Sequence, residues 1–266
     1  MRILLTCAGG KLVSKTFKYL KKDKNLSDLF VAGIDKKKIK KNKFLDKFYR
    51  INFDNNYLKK IIKICYLNKI KLIIPYSDKE SIYLSKKKPF LIKKGIFVLT
   101  NDFKTNKKIS NKYAVYEKLK KAGLRVPKYF IFNSVNQFNL YLKILDFPNK
   151  TVVVKPLDGI GGRGVIFLKG KDFRKQKWVG KGKREKTLNI KNFKIFKHLN
   201  TYKKLIIMER LNAPAYDVDY FNHKIKKLVS IRKRLNPSGI PYKGNVIVQN
   251  KEIENYCNKI AKILGI

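Results

Sequence analysis

The sequence is short of acid, arginine, cysteine and histidine, and each shortage weighs against a class of function. Only 18 aspartates and glutamates oppose 64 lysines and arginines over 266 residues, for a formal net charge of +46. Nine of the basic residues are arginine and 55 are lysine. Arginine is the side chain favoured for paired hydrogen bonds to phosphates and bases. The lysines run from end to end without a basic tail, among abundant asparagine, isoleucine, tyrosine and phenylalanine, all encoded by A/T-rich codons. A solvated lysine surface therefore accounts for the charge better than nucleic-acid recognition, which would draw its affinity from counterion release.

Three cysteines (Cys7, Cys65 and Cys257) lie far apart, an odd number with no metal-like pairing, which suits a reducing compartment. His198 and His223 are isolated and form no metal or general-base motif. No apolar run reaches the eighteen or so residues of a spanning helix. The apolar stretch Ile3–Leu5 is too short for the core of a signal peptide. A cytoplasmic chain without a membrane segment is expected. Hydrophobic residues still make up 44%, enough for the packed interiors of two or more units.

Strand and helix patterns alternate over the first hundred residues. Ile3–Thr6, Leu29–Ile34, Lys71–Pro75 and Ile96–Leu99 read as strands, with helices over Leu12–Leu20, from Asp54 to Asn68, and from Asp78 onward. Such alternation predicts a parallel sheet covered by helices on both faces. The turn Ala8-Gly9-Gly10-Lys11-Leu12, with Asp35 beyond the second strand, resembles a dinucleotide turn but lacks its third glycine. Further on, a helix over Asn111–Ala122 stops at Gly123. Tyr129–Phe132, Thr151–Lys155, Val165–Leu168, Leu205–Met208, Tyr216–Phe221 and Ile225–Ile231 read as strands, and Val135–Leu145 and Lys251–Leu264 as helices. The lysine-rich stretch 169–204 reads as a mobile excursion with one helix, Ile190–His198.

One segment carries chemistry. Val152-Val153-Val154-Lys155-Pro156 runs into a loop holding Gly159, Gly161, Gly162, Arg163 and Gly164, then returns through Val165. Four glycines in six residues let the backbone approach a polyphosphate and aim amides at it. Lys155 brings a positive charge to the same phosphates. The loop joins two strands and no Gly-Lys-Ser/Thr opens a helix after it, so it is not a P-loop.

With these residues the chain resembles the ATP-grasp superfamily, in particular the branch of the carbamoyl phosphate synthase large subunit and related carboxylate–amine ligases. The resemblance extends to Ile3–Gly10, Gly33-Ile34-Asp35, Ile74–Glu80, Asn111-Lys112-Tyr113 with Leu119–Pro127, Ile206–Leu211 and Ile231–Arg234. It implies an α/β chain of three parts. Residues 1–104 would form a Rossmann-like pre-ATP-grasp domain, 105–207 the ATP-grasp subdomain with the glycine loop, and 208–266 a second, incomplete subdomain. It further implies that Lys112 and Lys155 contact phosphate and that Glu209 and the backbone at Leu211 meet adenine. Arg232 and Arg234 would meet the substrate carboxylate or the transferred phosphate, where guanidinium forks suit both.

Two departures from the pattern bear on activity. Ala215 stands where the family places a ribose-binding glutamate, with Asp217 or Asp219 as possible substitutes. The family's magnesium ligands, an acid followed by Glu-x-Asn, would lie beyond Leu264-Gly265-Ile266. The resemblance therefore implies ATP as cofactor, Mg2+ without its usual ligands, and carboxylate and amine substrates joined through an acyl phosphate. A partner chain or second copy is expected to complete the fold, and turnover near background is expected of these residues alone. The alternative is an inactive nucleotide- or partner-binding module. Gly162→Val tests the loop: a β-branched side chain there occupies space meant for phosphate and disfavours positive φ. It is expected to abolish ATP binding in calorimetry while circular dichroism and melting stay unchanged; normal ATP binding would reduce the loop to a hairpin.

Overall fold

Apolar runs bounded by turn residues become the strands of a parallel sheet in the first of two units, Met1–Ser110 and Asn111–Ile266. The computed structural model describes residues 1–39, 42–157, 164–175, 185–202, 204–222, 226–235 and 244–266. In the first unit the chain runs β1 (Arg2–Leu5), α1 (Lys11–Lys22), β2 (Phe30–Asp35), β3 (Lys47–Arg50) and α2 (Tyr57–Leu67). It continues through β4 (Leu72–Ile74), α3 (Asp78–Lys93), β5 (Phe97–Val98) and α4 (Phe103–Ser110). The strands lie in the order β3-β2-β1-β4-β5, all parallel. Side chains alternate across such a sheet, and both faces are covered. Leu4, Ala32, Ile34 and Ile73 pack with Tyr57, Ile61, Cys65 and Leu84 from α2 and α3. Ile3, Leu5 and Val31 pack with Val13 and Phe17 from α1.

The carboxyl ends of β1 and β4 are tied to α3 by one carboxylate. Oε2 of Glu80 accepts from the Thr6 hydroxyl (2.8 Å), the Cys7 thiol (3.1 Å) and the Ser77 hydroxyl (2.6 Å), and Oε1 accepts from the Tyr57 hydroxyl. Ser77 in turn caps α3 by accepting from the Glu80 amide. Burial, and then the hydrogen bond to Glu80, pushes the Cys7 thiol up to about 12. Burial, then the negative charge of Glu80 and the hydrogen bond to it, raise the Tyr57 hydroxyl. Asp35, the acid a dinucleotide site would turn to a ribose, closes the glycine turn instead, accepting from the amides of Gly9 (3.0 Å) and Lys37 (3.0 Å).

The second unit runs α5 (Lys112–Lys121), β6 (Tyr129–Phe132), α6 (Val135–Ile144), β7 (Val152–Pro156), β8 (Val165–Leu168) and β9 (Glu185–Leu188). Then come α7 (Ile195–Thr201), β10 (Leu205–Glu209), β11 (Tyr216–Asn222), β12 (Lys227–Arg234), β13 (Asn245–Val248) and α8 (Lys251–Leu264). One sheet has the order β6-β10-β7-β8-β9, antiparallel except for β8 with β9; the other is the antiparallel β11-β12-β13. Phe132, Val152, Val154, Ile166, Leu205 and Ile207 bury one face of the first sheet with Phe138 and Leu142 of α6. Asn250 caps α8, and Gly265 ends it at φ +75°.

Several expectations shift. The helix read over Ile190–His198 begins at Ile195, because Ile190–Asn192 forms a separate tight turn that Phe193 closes. The stretch read as a mobile excursion contains β9, whose polar Glu-Lys-Thr-Leu carries no apolar alternation yet pairs with β8 at the sheet edge. The strand read over Ile225–Ile231 is β12, Lys227–Arg234, in register with β11. The mixed sequences of β3, α4 and β13 lacked the periodicity that would have announced them.

Glu80→Ala strips an acceptor from four donors at once. It is expected to destabilise the first unit by about 2–4 kcal/mol, read by urea unfolding. An unchanged midpoint would show the cluster to be incidental.

Candidate nucleotide site

The register of β7 against β10 sets the site. Lys155 pairs with Ile206 and Val153 with Met208. By alternation Val153 and Lys155 share a face with Ile206 and Met208, opposite the face that α6 covers. Phe167 lies beside Val153 on β8, and Tyr129 and Ile131 lie beside Met208 and Ile206 on β6. The result is an apolar floor with one lysine at its end, a surface suited to a planar ring with phosphates beyond it.

Helix α5 supplies the flank of this floor. Its Tyr116 hydroxyl accepts from the Lys155 ammonium at 3.2 Å, and the Tyr116 ring lies 5.0 Å from that of Tyr129. The Tyr129 hydroxyl donates to Glu117, and burial followed by that bond raises its pKa. Lys112 opens α5 and, one turn before Tyr116, shares its helix face. A lysine there opposes the helix dipole unless an anion is near. The structure thus brings Lys155 to Tyr116, on the helix face that Lys112 shares by spacing.

Gly159, Gly161, Gly162 and Arg163 lie outside the described residues. Gly164 lies at their edge with φ +77°, and a Cβ on it would stand 2.8 Å from Cγ of Pro156 and 3.0 Å from the Tyr202 hydroxyl. Only glycine fits where the loop returns to β8.

Glu209 ends β10. Its carboxylate accepts from the Lys128 amide at 2.6 Å, while its own amide donates to the Lys128 carbonyl at 3.0 Å. The acid therefore also seals the β6–β10 edge. Leu211 follows the strand, 61% exposed.

Arg232 and Arg234 stand on one face of β12, each held by an acid of β11. Arg234 grips Asp217 through Nε (2.8 Å) and Nη2, and Arg232 reaches Asp219 (2.8 Å). Asp217 and Asp219, weighed as substitutes for the ribose acid, are thus engaged by arginines. The Ala215 carbonyl accepts from the Arg234 amide at 2.9 Å. His198 stacks on Phe193, and burial lowers its pKa; His223 lies outside the described residues. Among the described residues no group of three or more histidines, cysteines and acids could hold a metal ion. No described helix is long and apolar enough to cross a membrane.

Sequence reasoning missed Tyr116, Phe167 and Arg210. Tyr113 and Tyr116 at helical spacing could have suggested an aromatic flank. Arg210 sits inside the segment Ile206–Leu211 and is one of only nine arginines, a scarcity that could have singled it out.

The sequence pattern of the ATP-grasp domain matches residues 109–264. No curated protein matches the sequence. Among solved structures, biotin carboxylase from Campylobacter jejuni, as its β,γ-ATP complex, superposes with a TM-score of 0.65 at 14% identity, over 99% of this chain and 59% of that one. L-amino acid ligase from Bacillus licheniformis gives 0.63 at 13% identity, over 100% and 60%. N5-carboxyaminoimidazole synthetase from Staphylococcus aureus, complexed with ADP, gives 0.61 at 14% identity, over 98% and 62%. The chain spans about three fifths of the length of these structures, and at such identities the likeness is one of fold.

Gly164→Ala is expected to cost about 1–3 kcal/mol of stability, since alanine is strained at this φ and its Cβ meets Pro156. Chemical denaturation of the variant checks this, and an unchanged midpoint would show that the turn relaxes freely.

Proposed function

The chain belongs to the ATP-grasp family, whose pattern takes in more than half of its residues, and on that premise we propose that it is an ATP-dependent carboxylate–amine ligase. A carboxylate oxygen of one substrate attacks the γ-phosphorus of ATP, forming an acyl phosphate and releasing ADP. The amine of a second substrate then attacks the acyl carbon; the carbon–oxygen bond to phosphate breaks, and the amine gives up a proton as the amide forms. The observation that supports this reading most is the apolar floor ending in Lys155, flanked by α5 with Lys112 on its Tyr116 face.

In this scheme the floor of Val153, Ile206, Met208 and Phe167 takes the base. Glu209 and the backbone at Leu211 border the base, as the family resemblance implies. Lys112, Lys155 and the loop amides of residues 159–164 hold phosphate charge as it moves during transfer. Arg232 and Arg234, engaged by Asp219 and Asp217, are the arginines that meet the substrate carboxylate or the transferred phosphate, as the family resemblance implies.

The family's usual magnesium ion does not fit the acids that are described. Asp217 and Asp219 are paired with arginines, and no cluster of ligating groups occurs among the described residues. That misfit, together with Ala215 in the ribose position, favours as second reading a nucleotide-binding module without turnover.

Calorimetry and ADP release on the 266-residue chain test both. Lys155→Ala is expected to weaken ATP binding about tenfold to hundredfold, the worth of a charged hydrogen bond; equal affinity in the variant would defeat the site. ADP release stimulated by a carboxylate from a substrate library would mark the ligase, and binding without release would mark the module.

A further inference from the structure

Arg210 follows Glu209 at the end of β10 and, by alternation, faces the same side as Ile206 and Met208. Its guanidinium carbon lies 5.5 Å from the centre of the Phe167 ring and 5.7 Å from that of Phe173. Ring faces satisfy the flat of a guanidinium but not its N–H edge. Nη1 is buried and has no hydrogen-bond partner among the described residues. Asp172, the acid that acts on Arg210 through space, has Oδ1 occupied by the Thr151 amide (2.7 Å) and hydroxyl (2.6 Å). Burial lowers the pKa of Arg210, yet a guanidinium stays charged in proteins and can only donate. A buried donor without an acceptor is rare in native proteins and calls for an explanation. Water would satisfy most surface arginines; this one is turned onto the floor of the nucleotide site.

Its position along that floor supplies the explanation. Ile206 sits opposite Lys155 and Met208 opposite Val153, so Arg210 falls one step further, four residues from the lysine row. At strand rise that is about 13 Å, of the order of the reach from a polyphosphate to the far edge of its base. Met208, Val153 and Phe167 form the apolar surface between.

Resting on the nucleotide site argued above, we propose that Arg210 selects the base, and that its guanidinium donates to the N7 and O6 acceptors of guanine or hypoxanthine. GTP and ITP are then ligands alongside ATP. An oxo-purine offers two adjacent acceptors to a guanidinium fork, whereas adenine offers N7 beside an amino group that also donates. One of the two bonds is lost with adenine, and two donors oppose one another.

The test is the affinity of ATP, GTP and ITP for the full 266-residue chain and its Arg210→Met variant, by calorimetry. Methionine keeps the length and the contact with Phe167 and Phe173 while removing every donor. Wild type is expected to bind GTP and ITP within about tenfold of ATP. The variant is expected to lose about tenfold to hundredfold for GTP and ITP but less than about threefold for ATP. A wild type that binds ATP and neither GTP nor ITP overturns the proposal, as does a variant that weakens all three alike. Should the methionine variant melt below the assay temperature, Arg210→Lys decides, since it keeps the charge and loses the fork. The same selective loss supports base selection, and an equal loss overturns it. Binding of ATP separates this outcome from failure of the site itself: if none of the three binds wild type, the nucleotide site falls and the proposal with it.

Discussion

The pairing of β7 with β10 is the constraint on which the site depends. A slip of one residue would exchange the two faces of β7, turning Lys155 into the core beneath α6 and Val154 onto the floor. Burying an unpaired ammonium costs far more than a misplaced valine gains, so the register is held by the hydrophobic face as much as by the ladder. Phe132, Val152, Val154, Ile166, Leu205 and Ile207 fix that face. The lysine at the end of the floor, the flank of α5 and the turn at Gly164 then follow from chain geometry.

Acids are scarce in this chain, and many of the described ones are spent on structure. Glu80 gathers four donors where β1, β4 and α3 meet. Asp46 accepts from the Val31 amide and pairs with Lys21. Asp102 caps the turn at Thr105, and Asp172 ties Thr151 to the turn after β8. Glu209 seals the β6–β10 edge, while Asp217 and Asp219 hold two of the nine arginines. With so many carboxylates engaged, the lysines meet water and counterions. Such a surface attracts anions over long range, an effect that salt screens within about 10 Å. The two acids that sequence reading could assign to ribose prove to be arginine partners.

Much of the architecture was legible because local chemistry and burial agree there. The strands at Ile3–Leu5 and Leu29–Ile34 are fully apolar because helices cover both faces of their sheet. Helix ends at Gly123 and Gly265 announce themselves because only glycine takes the left-handed cap without strain. Two of the elements that went unread have little to bury: β9 is polar and held at a sheet edge by β8, and α4 rests on the Asp102 cap with few apolar residues.

By itself the sequence determined an α/β chain and an apolar strand that ends in Lys155 and runs into four glycines, since each needs only neighbours in the chain. Only tertiary structure decided that Lys155 reaches Tyr116, and that Asp217 and Asp219 answer to Arg234 and Arg232. It alone put Arg210 on the aromatic floor with a donor unspent. Such pairings join residues tens of positions apart, and their partners are fixed by strand register and helix packing, which spacing along a chain does not encode.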